Sequence, residues 1–286
     1  MTNVDQFESA FRSAAKIPFS YEQVSLRKVL VITDVDASKA RDFGDLCRAF
    51  LSFLSDDEAV QWQELAGAQY ATVRELLEHV EQFRPDLICT YRNLHSRAWQ
   101  WPYSLGAYVD LLTQVTAVPV LLVPHPDAEY ALERALKSRK SVMALTDHLT
   151  GDAHLVNYAV GVTEEGGTLF LTHIEDREVY ERYVDVIGKI PSIDTENARG
   201  EILEQLLKEP SDYIDSCAEV LSSHAVPVTV EKLVGLGHHL AECLKLVEEK
   251  HVDLVVFNTK DADQLAMHGL AYPLAVEMRQ IPLLML

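Results

Sequence analysis

The chain has 286 residues, 48% of them hydrophobic and 24% charged, which is an ordinary balance for a folded globular protein of one large or two average domains. Its formal net charge of −19 argues against nucleic acid and anionic membranes as partners, because their phosphates would be repelled. No apolar run reaches the roughly 20 residues that span a bilayer, and the first residues lack the charged-then-apolar order of a signal peptide. We therefore expect a cytoplasmic protein that does not enter membranes.

The first half of the chain alternates short apolar runs with helical patterns. Phe7 and Phe11 have the spacing of a short amphipathic helix, and Lys28–Thr33 predicts a buried strand that ends at Asp34. A helical pattern starts at Ser38. The elements expected after it are a short edge strand near 59–65, a helix over 73–80, a strand over 86–90, a loop over 91–102, a helix over 106–114 and a strand over 118–123.

The second half repeats this alternation after a short linking helix, predicted over 128–138. Ser141–Thr146 predicts a strand ending at Asp147, as Lys28–Thr33 ends at Asp34. The further elements expected are a strand over 168–173, a helical region over 175–191, helices to residue 222 with an interruption near Pro210, a strand over 226–233, a helix over 240–247 and strands over 253–257 and 281–286.

The two halves are related by constant offsets. Leu240 follows Val73 by 167 positions and Asp253 follows Asp86 by the same 167, whereas Gly269 follows Gly106 by 163. The pair of strand-end aspartates is only 113 apart, so the first half lacks 54 residues in its middle. An internal repeat of this kind predicts two α/β domains, the first of them abridged.

The four cysteines, Cys47, Cys89, Cys217 and Cys243, are scattered without the C-x-x-C spacing of a metal site. Cys89 lies in an apolar strand pattern and Cys243 on an apolar helix face, and we expect both to be inert core thiols.

The second half resembles the universal stress protein domain. The residues that carry the resemblance are a first strand ending in Asp (VMALTD), a second strand ending in His (LFLTHIED), a helix start at Gly237–Cys243, a fourth strand DLVVFN and a last strand IPLLML. The resemblance covers 141–286 well and 27–124 in part. It implies an α/β fold of two tandem, mostly parallel open sheets (Rossmann-like, similar to the adenine-nucleotide alpha-hydrolases) that form a pseudo-dimer through their last strands. It also implies a homodimer and protein partners.

These motifs place the domain boundaries. We expect an N-terminal helical extension at 1–26, an abridged domain at 27–126, a linker helix at 127–140 and a complete domain at 141–286.

The resemblance implies a nucleotide site after the fourth strand. Members that bind ATP carry G-x-x-G, nine residues and then G-S or G-T, because glycines let backbone amides approach phosphate at a helix N-terminus. Here Asn258 and Asp261 stand at the first two glycine positions and Gly269 at the third. The expected cofactor-binding residues are Asp147, Asn258, Thr259, Lys260 and Gly269, and the expected ligands are ATP, AMP or another small anion.

The corresponding loop of the first half carries Tyr91 and Leu94 in place of glycines, and we expect this half to be a structural partner. Trp99 and Trp101, with Tyr103, would fill the altered pocket or pack against another surface. His173, His238 and His239 fall near one sheet edge, but turns and caps explain them better than a metal site, and no metal is expected.

Two other interpretations remain open. The chain is a ligand-free dimerisation scaffold, or, with Asp34 and Asp36 in a D-x-D arrangement, a Mg²⁺-dependent phosphatase. Because no general base and no later pair of acidic residues is visible, we expect a non-enzymatic stress-response protein with an altered small-anion site.

Overall fold

The computed structural model describes residues 18–52, 60–101, 103–128, 132–146, 149–190, 194–259 and 269–286. Nine strands lie in one sheet: β1 (Lys28–Ile32), β2 (Gln61–Leu65), β3 (Leu87–Tyr91), β4 (Val120–Val123), β5 (Ser141–Leu145), β6 (Thr168–Asp176), β7 (Thr229–Gly237), β8 (Leu254–Phe257) and β9 (Leu283–Met285). The described α-helices are α1 (Ala37–Phe50), α2 (Val73–Phe83), α3 (Ala107–Val115), α4 (Leu132–Ala135), α5 (Ala153–Val162), α6 (Arg177–Ile187), α7 (Thr195–Ser223), α8 (His239–Glu249) and α9 (Ala271–Glu277).

The strand order is β2-β1-β3-β4-β9-β8-β5-β6-β7, and every neighbouring pair is parallel except β4 and β9. The mostly parallel α/β sheet predicted from the sequence is therefore confirmed. The antiparallel contact of β4 with β9, in which Leu121 lies opposite Leu284, fuses the two halves into one continuous sheet. Within the described residues the first half has no counterpart of α6, α7 and β7, which accounts for its missing length.

The repeat has a physical basis in two aspartates. Asp86 accepts hydrogen bonds from the backbone N–H groups of Arg27 and Lys28 at 2.8 and 2.9 Å, and so anchors the start of β1. Asp253, its equivalent in the second half, accepts from the N–H of Ser141 at 3.1 Å at the start of β5. Each carboxylate precedes one strand and fixes the start of the neighbouring strand.

The expected break at Pro210 is wrong, because α7 continues through this residue from Thr195 to Ser223. A proline removes one helical hydrogen bond and strains the helix. Here the turns that follow it bury Tyr213, Ile214 and Cys217 almost completely. That apolar face holds the helix together where local propensity alone would end it.

Residues 18–27 form a strap that the sequence pattern did not indicate. Before the chain enters β1, Asn157 of α5 accepts from the N–H of Glu22 and donates to the carbonyl of Ser20, both at 3.1 Å. The strap thus crosses the second half before it reaches the first. The predicted helix around Phe7 and Phe11 lies outside the described residues.

Candidate functional site

At the carboxyl ends of the strands in the first half, the carboxylate of Asp34 already accepts hydrogen bonds from other residues of the chain. Asp34, directly after β1, accepts the hydroxyl hydrogen of Tyr91 on one oxygen and the N–H of His95 on the other at 2.7 Å. The same tyrosine oxygen accepts the N–H of Asp34 at 3.1 Å. Burial, with the adjacent carboxylate as a further cause, raises the pKa of Tyr91 well above its usual range, so the phenol stays a donor.

The loop that follows β3 is closed by its own backbone. The N–H of Asn93 donates to the carbonyl of Leu105 at 2.7 Å, and the Asn93 side chain donates to Ser104. Gly106 packs so tightly here that an added Cβ would lie 2.7 Å from Asn93 Cα. Backbone amides that a glycine-rich loop would offer to phosphate are therefore committed to protein acceptors.

The aromatic residues of this loop do not act as one plug. Trp99 stacks on His125 with ring centroids 4.4 Å apart, and His125 in turn meets the ring of Tyr91 edge-on at 4.9 Å. Trp101 and Tyr103, by contrast, are 51% and 79% exposed. The expected packing role thus applies to Trp99, and not to the two aromatic residues after it.

Two arginines connect this loop to the second half. Arg92 is buried and donates to the carbonyls of Val276 and Met278 at the end of α9, at 3.1 and 3.0 Å. Arg279 donates in the other direction, to the carbonyl of Trp99 at 3.2 Å. Burial lowers the pKa of Arg92 to about 10, which leaves it charged at neutral pH and suited to binding the carbonyl end of a helix. Sequence reasoning missed Arg92, although a charged residue directly after a buried strand is a signal.

In the second half, the structure brings Asn258 and Thr259 to the carboxyl end of β8. Asn258 donates its amide to Asp152 at 2.5 Å, and Asp152 also accepts from the N–H of Leu155 as the N-cap of α5. Thr259 is buried and donates both its hydroxyl and its N–H to the carbonyl of Leu286, at 2.7 and 2.8 Å. Asn258 thus belongs to a small polar cluster with Asp152, a residue that the sequence analysis did not single out.

Gly269 lies just before α9 with a φ of 57°, a conformation that glycine adopts without strain. Asp147 and Lys260, the two other candidate residues, lie outside the described residues, as do Asp261 and the loop up to residue 268. Asn258 and Thr259 thus follow the carboxyl end of β8, and Gly269 lies shortly before the start of α9.

Among the buried polar atoms of the second half that have no hydrogen-bond partner in the described part of the chain are the Thr172 hydroxyl oxygen and Nδ1 of His173. Thr172 and His173 lie in the carboxyl-terminal half of β6, next to β5, whose end precedes Asp147. Because they are consecutive residues of one strand, their side chains point to opposite faces of the sheet, and the two groups do not belong to one site.

The histidines that could suggest a metal site are engaged separately. Nε2 of His173 lies 3.5 Å from the carboxylate of Glu175, whereas His239 contacts the carbonyl of Ile174. His238 precedes α8 and makes no side-chain cap. In the described part of the chain, no three His, Cys, Asp or Glu side chains are grouped as metal ligands would be.

Comparisons with known proteins identify solved structures with a similar architecture. No protein-family model and no curated protein sequence matches the chain. A solved structure described as a candidate universal stress protein from Pseudomonas aeruginosa UCBPP-PA14 matches with a TM-score of 0.54 at 9% identity, over 91% of this chain and 93% of that one. A functionally unknown protein from Pseudomonas aeruginosa PAO1 matches with a TM-score of 0.51 at 10% identity, over 91% of this chain and 92% of that one.

The fold therefore belongs to the class of mostly parallel, open-sheet α/β proteins. More particularly, it is the universal stress protein fold, present here as two fused copies in one sheet. Among the described residues no helix is long and apolar enough to cross a membrane.

Proposed function

We propose that this chain is a universal stress protein-like, non-enzymatic protein of the stress response, in which only the second half retains a site for a nucleotide or another small anion. The first half is a structural partner. The observation that carries the proposal is the carboxylate of Asp34, whose two oxygens are taken by Tyr91 and by the backbone of His95. A ligand there would have to displace two hydrogen bonds that the chain already makes.

Several features of the second half support a ligand there. Gly269 precedes α9 in a backbone conformation that allows close approach, and Asn258 and Thr259 follow the carboxyl end of β8. The buried Thr172 hydroxyl, which has no partner among the described residues, lies on the neighbouring strand β6, level with the end of β5. ATP and AMP remain the ligands to test, because the resemblance to the family names them and polar edges of this kind suit a nucleoside.

A scaffold without any ligand is the second candidate, and one observation favours it. The side chains of Asn258 and Thr259 are both engaged within the protein, with Asp152 and with the Leu286 carbonyl. A ligand would have to compete for them. In this case the fused sheet itself, with its exposed aromatic residues Trp101 and Tyr103, would act through protein partners.

The phosphatase interpretation gains no support from the first half. Asp36 accepts the N–H groups of Ser38 and Lys39 at 3.0 and 3.1 Å and so caps α1, and these bonds are the main cause that lowers its pKa. Asp34, which would be the nucleophile, is bound on both oxygens, so its carboxylate is not free to attack a phosphoryl group.

Thermal unfolding of the purified full chain with ATP, ADP and AMP tests the proposal. We expect a saturable rise in Tm with at least one of them, since a ligand at a hundred-fold excess over its Kd adds about 2.7 kcal/mol to the free energy of unfolding. Asp147→Ala should abolish the rise, and Asp34→Asn, its equivalent in the first half, should leave it unchanged. Released phosphate should not exceed that of a protein-free control.

The outcomes separate the candidates. No shift in Tm at millimolar nucleotide would favour the scaffold over the binding protein. A shift that Asp34→Asn removes and Asp147→Ala does not would place the site in the first half and contradict the proposal.

A further inference from the structure

The strand β7 forms a long edge of the sheet, and no described segment of the chain pairs with its outer side. β7 pairs with β6 over nine consecutive residues, Thr229–Gly237, without a bulge or a proline. The strand at the opposite edge, β2, has only five residues. A long, regular edge strand exposes a row of backbone groups that can pair with another strand.

The register identifies which backbone groups are free. The N–H of Thr229 donates to Gly167 next to β6, and in a parallel pair alternate residues turn toward the same neighbour. The N–H and C=O groups of Val230, Lys232, Val234 and Leu236 therefore point away from β6. None of them has a hydrogen-bond partner within the described residues.

The charged side chains of β7 do not block this edge. Glu231 accepts a hydrogen bond from Lys250 of α8 at 3.2 Å on one face of the sheet. Lys232 donates to both oxygens of Asp215 of α7, at 2.8 and 2.7 Å, on the other face. Charges often protect exposed edges, but here both are held against the helices and leave the backbone of the strand open.

We propose that a second copy of this chain pairs with the edge of β7, so that two β7 strands run antiparallel across a two-fold axis at Leu233. In this register Val230 lies opposite Leu236 of the second copy and Lys232 lies opposite its Val234. Every free N–H and C=O of the four outward residues then finds a partner. An isologous contact of this kind closes after two subunits.

Strand length and charge select this register over its two neighbours. With the axis at Val234, Val230 would lie opposite His238, beyond the end of β7, and would lose its partner. A shift of two residues toward the start of the strand would place Lys232 opposite itself in the second copy, and like charges directly opposite are destabilising. In the Leu233-centred register Glu231 lies opposite Gly235, which has no side chain, and the two leucines contact each other on the axis. The contact joins two chains of net charge −19, so the dimer should be strengthened by added salt. This inference does not depend on a ligand in the second half.

Sedimentation velocity of the purified full chain over a wide concentration range tests the proposal. The wild type should shift from 32.1 kDa toward twice that mass as concentration and salt rise. Val234→Pro removes an outward N–H that has no partner in the monomer, and proline is tolerated at such edge positions, so the fold should survive and the dimer should be lost. Val234→Thr, which keeps the N–H and suits a strand, is the matched control and should still dimerise.

Two further substitutions test the register itself. Val234→Glu places an opposite charge against Lys232 of the second copy and Val234→Lys places a like charge there, so the Glu variant should dimerise roughly tenfold more tightly. Net charge alone predicts the reverse order, because the Glu variant is the more negative. A wild type that stays monomeric, a dimer that Val234→Pro leaves intact, or a Lys variant that dimerises more tightly would each overturn the proposal.

Discussion

The hydrogen bond between Tyr91 and Asp34 should make a measurable contribution to stability, because it satisfies a partly buried carboxylate. Tyr91→Phe removes the hydroxyl that donates to Asp34 and accepts its N–H, while the ring can still pack against His125. Hydrogen bonds to charged groups contribute about 1.5–3 kcal/mol. Unfolding entropy is about 2.1 cal/mol/K per residue, so in a chain of 286 residues each kcal/mol shifts Tm by roughly 1.7 °C, and we expect a fall in Tm of about 2.5–5 °C.

A double-mutant cycle isolates this interaction. Tyr91→Phe, Asp34→Ala and the double variant should give a coupling energy of about 2 kcal/mol in denaturant unfolding followed by circular dichroism. Tyr108→Phe is the matched control, because its hydroxyl donates to the exposed carbonyl of Ala71 at 2.9 Å and its loss should cost less than about 1 kcal/mol. A coupling energy below about 0.5 kcal/mol would refute the conclusion that Tyr91 satisfies the carboxylate of Asp34, since water would then satisfy this carboxylate equally well.

Three further predictions concern the same half of the molecule. Gly106→Ala should lower the free energy of unfolding by more than about 2 kcal/mol, because φ is 90° and the new Cβ would meet Asn93. The control Gly166→Ala, also at positive φ but in open space, should lower it by only about 1 kcal/mol, and equal losses would contradict the packing argument. Arg92→Met should lower Tm by several degrees, because two helix-end carbonyls lose their donor, and an unchanged Tm would indicate that desolvation cancels the bonds. Burial lowers the pKa of His125 below its usual 6.5, although Asp127 and Asp34 oppose the shift. As the pH falls below about 6.5, the unfolded chain therefore takes up this proton before the folded chain does, and the free energy of unfolding decreases. In denaturant titrations the wild type should lose stability on acidification more steeply than His125→Gln, by at most about 1.4 kcal/mol per pH unit.

Most of the fold could be predicted because its elements are locally encoded. The apolar runs that start at Lys28 and Ser141 predicted β1 and β5, and the repeated offset that links Asp86 and Asp253 predicted two related halves. The strap at 18–27 could not be predicted, because its place depends on two hydrogen bonds to Asn157, more than a hundred residues away. The continuity of α7 through Pro210 was missed for a similar reason, since burial of the following turns outweighs the local effect of proline.

For the candidate site, too, some features could be predicted from the sequence and others could not. Asn258, Thr259 and Gly269 were located from the sequence because a strand end and a helix start are local features. That Asn258 bonds to Asp152, 106 residues earlier in the chain, could not be inferred from spacing. The partners of Arg92 are still more distant along the chain, because they lie across the junction of the two halves.

The sequence by itself determined the two α/β halves, the abridged middle of the first, and the absence of the first two glycines of the family motif from both loops. These are local properties of periodicity, spacing and residue type. Only the tertiary structure decided what replaces the missing glycines. In the first half, the hydroxyl of Tyr91 and the N–H of His95 both donate to Asp34. Asp34 is about 60 positions away along the chain, and the parallel pairing of β1 and β3 places it beside them. The tertiary structure also decided that β4 and β9 fuse the halves into one sheet and that β7 is its last described strand, because strand order is fixed by long-range packing and not by any single segment.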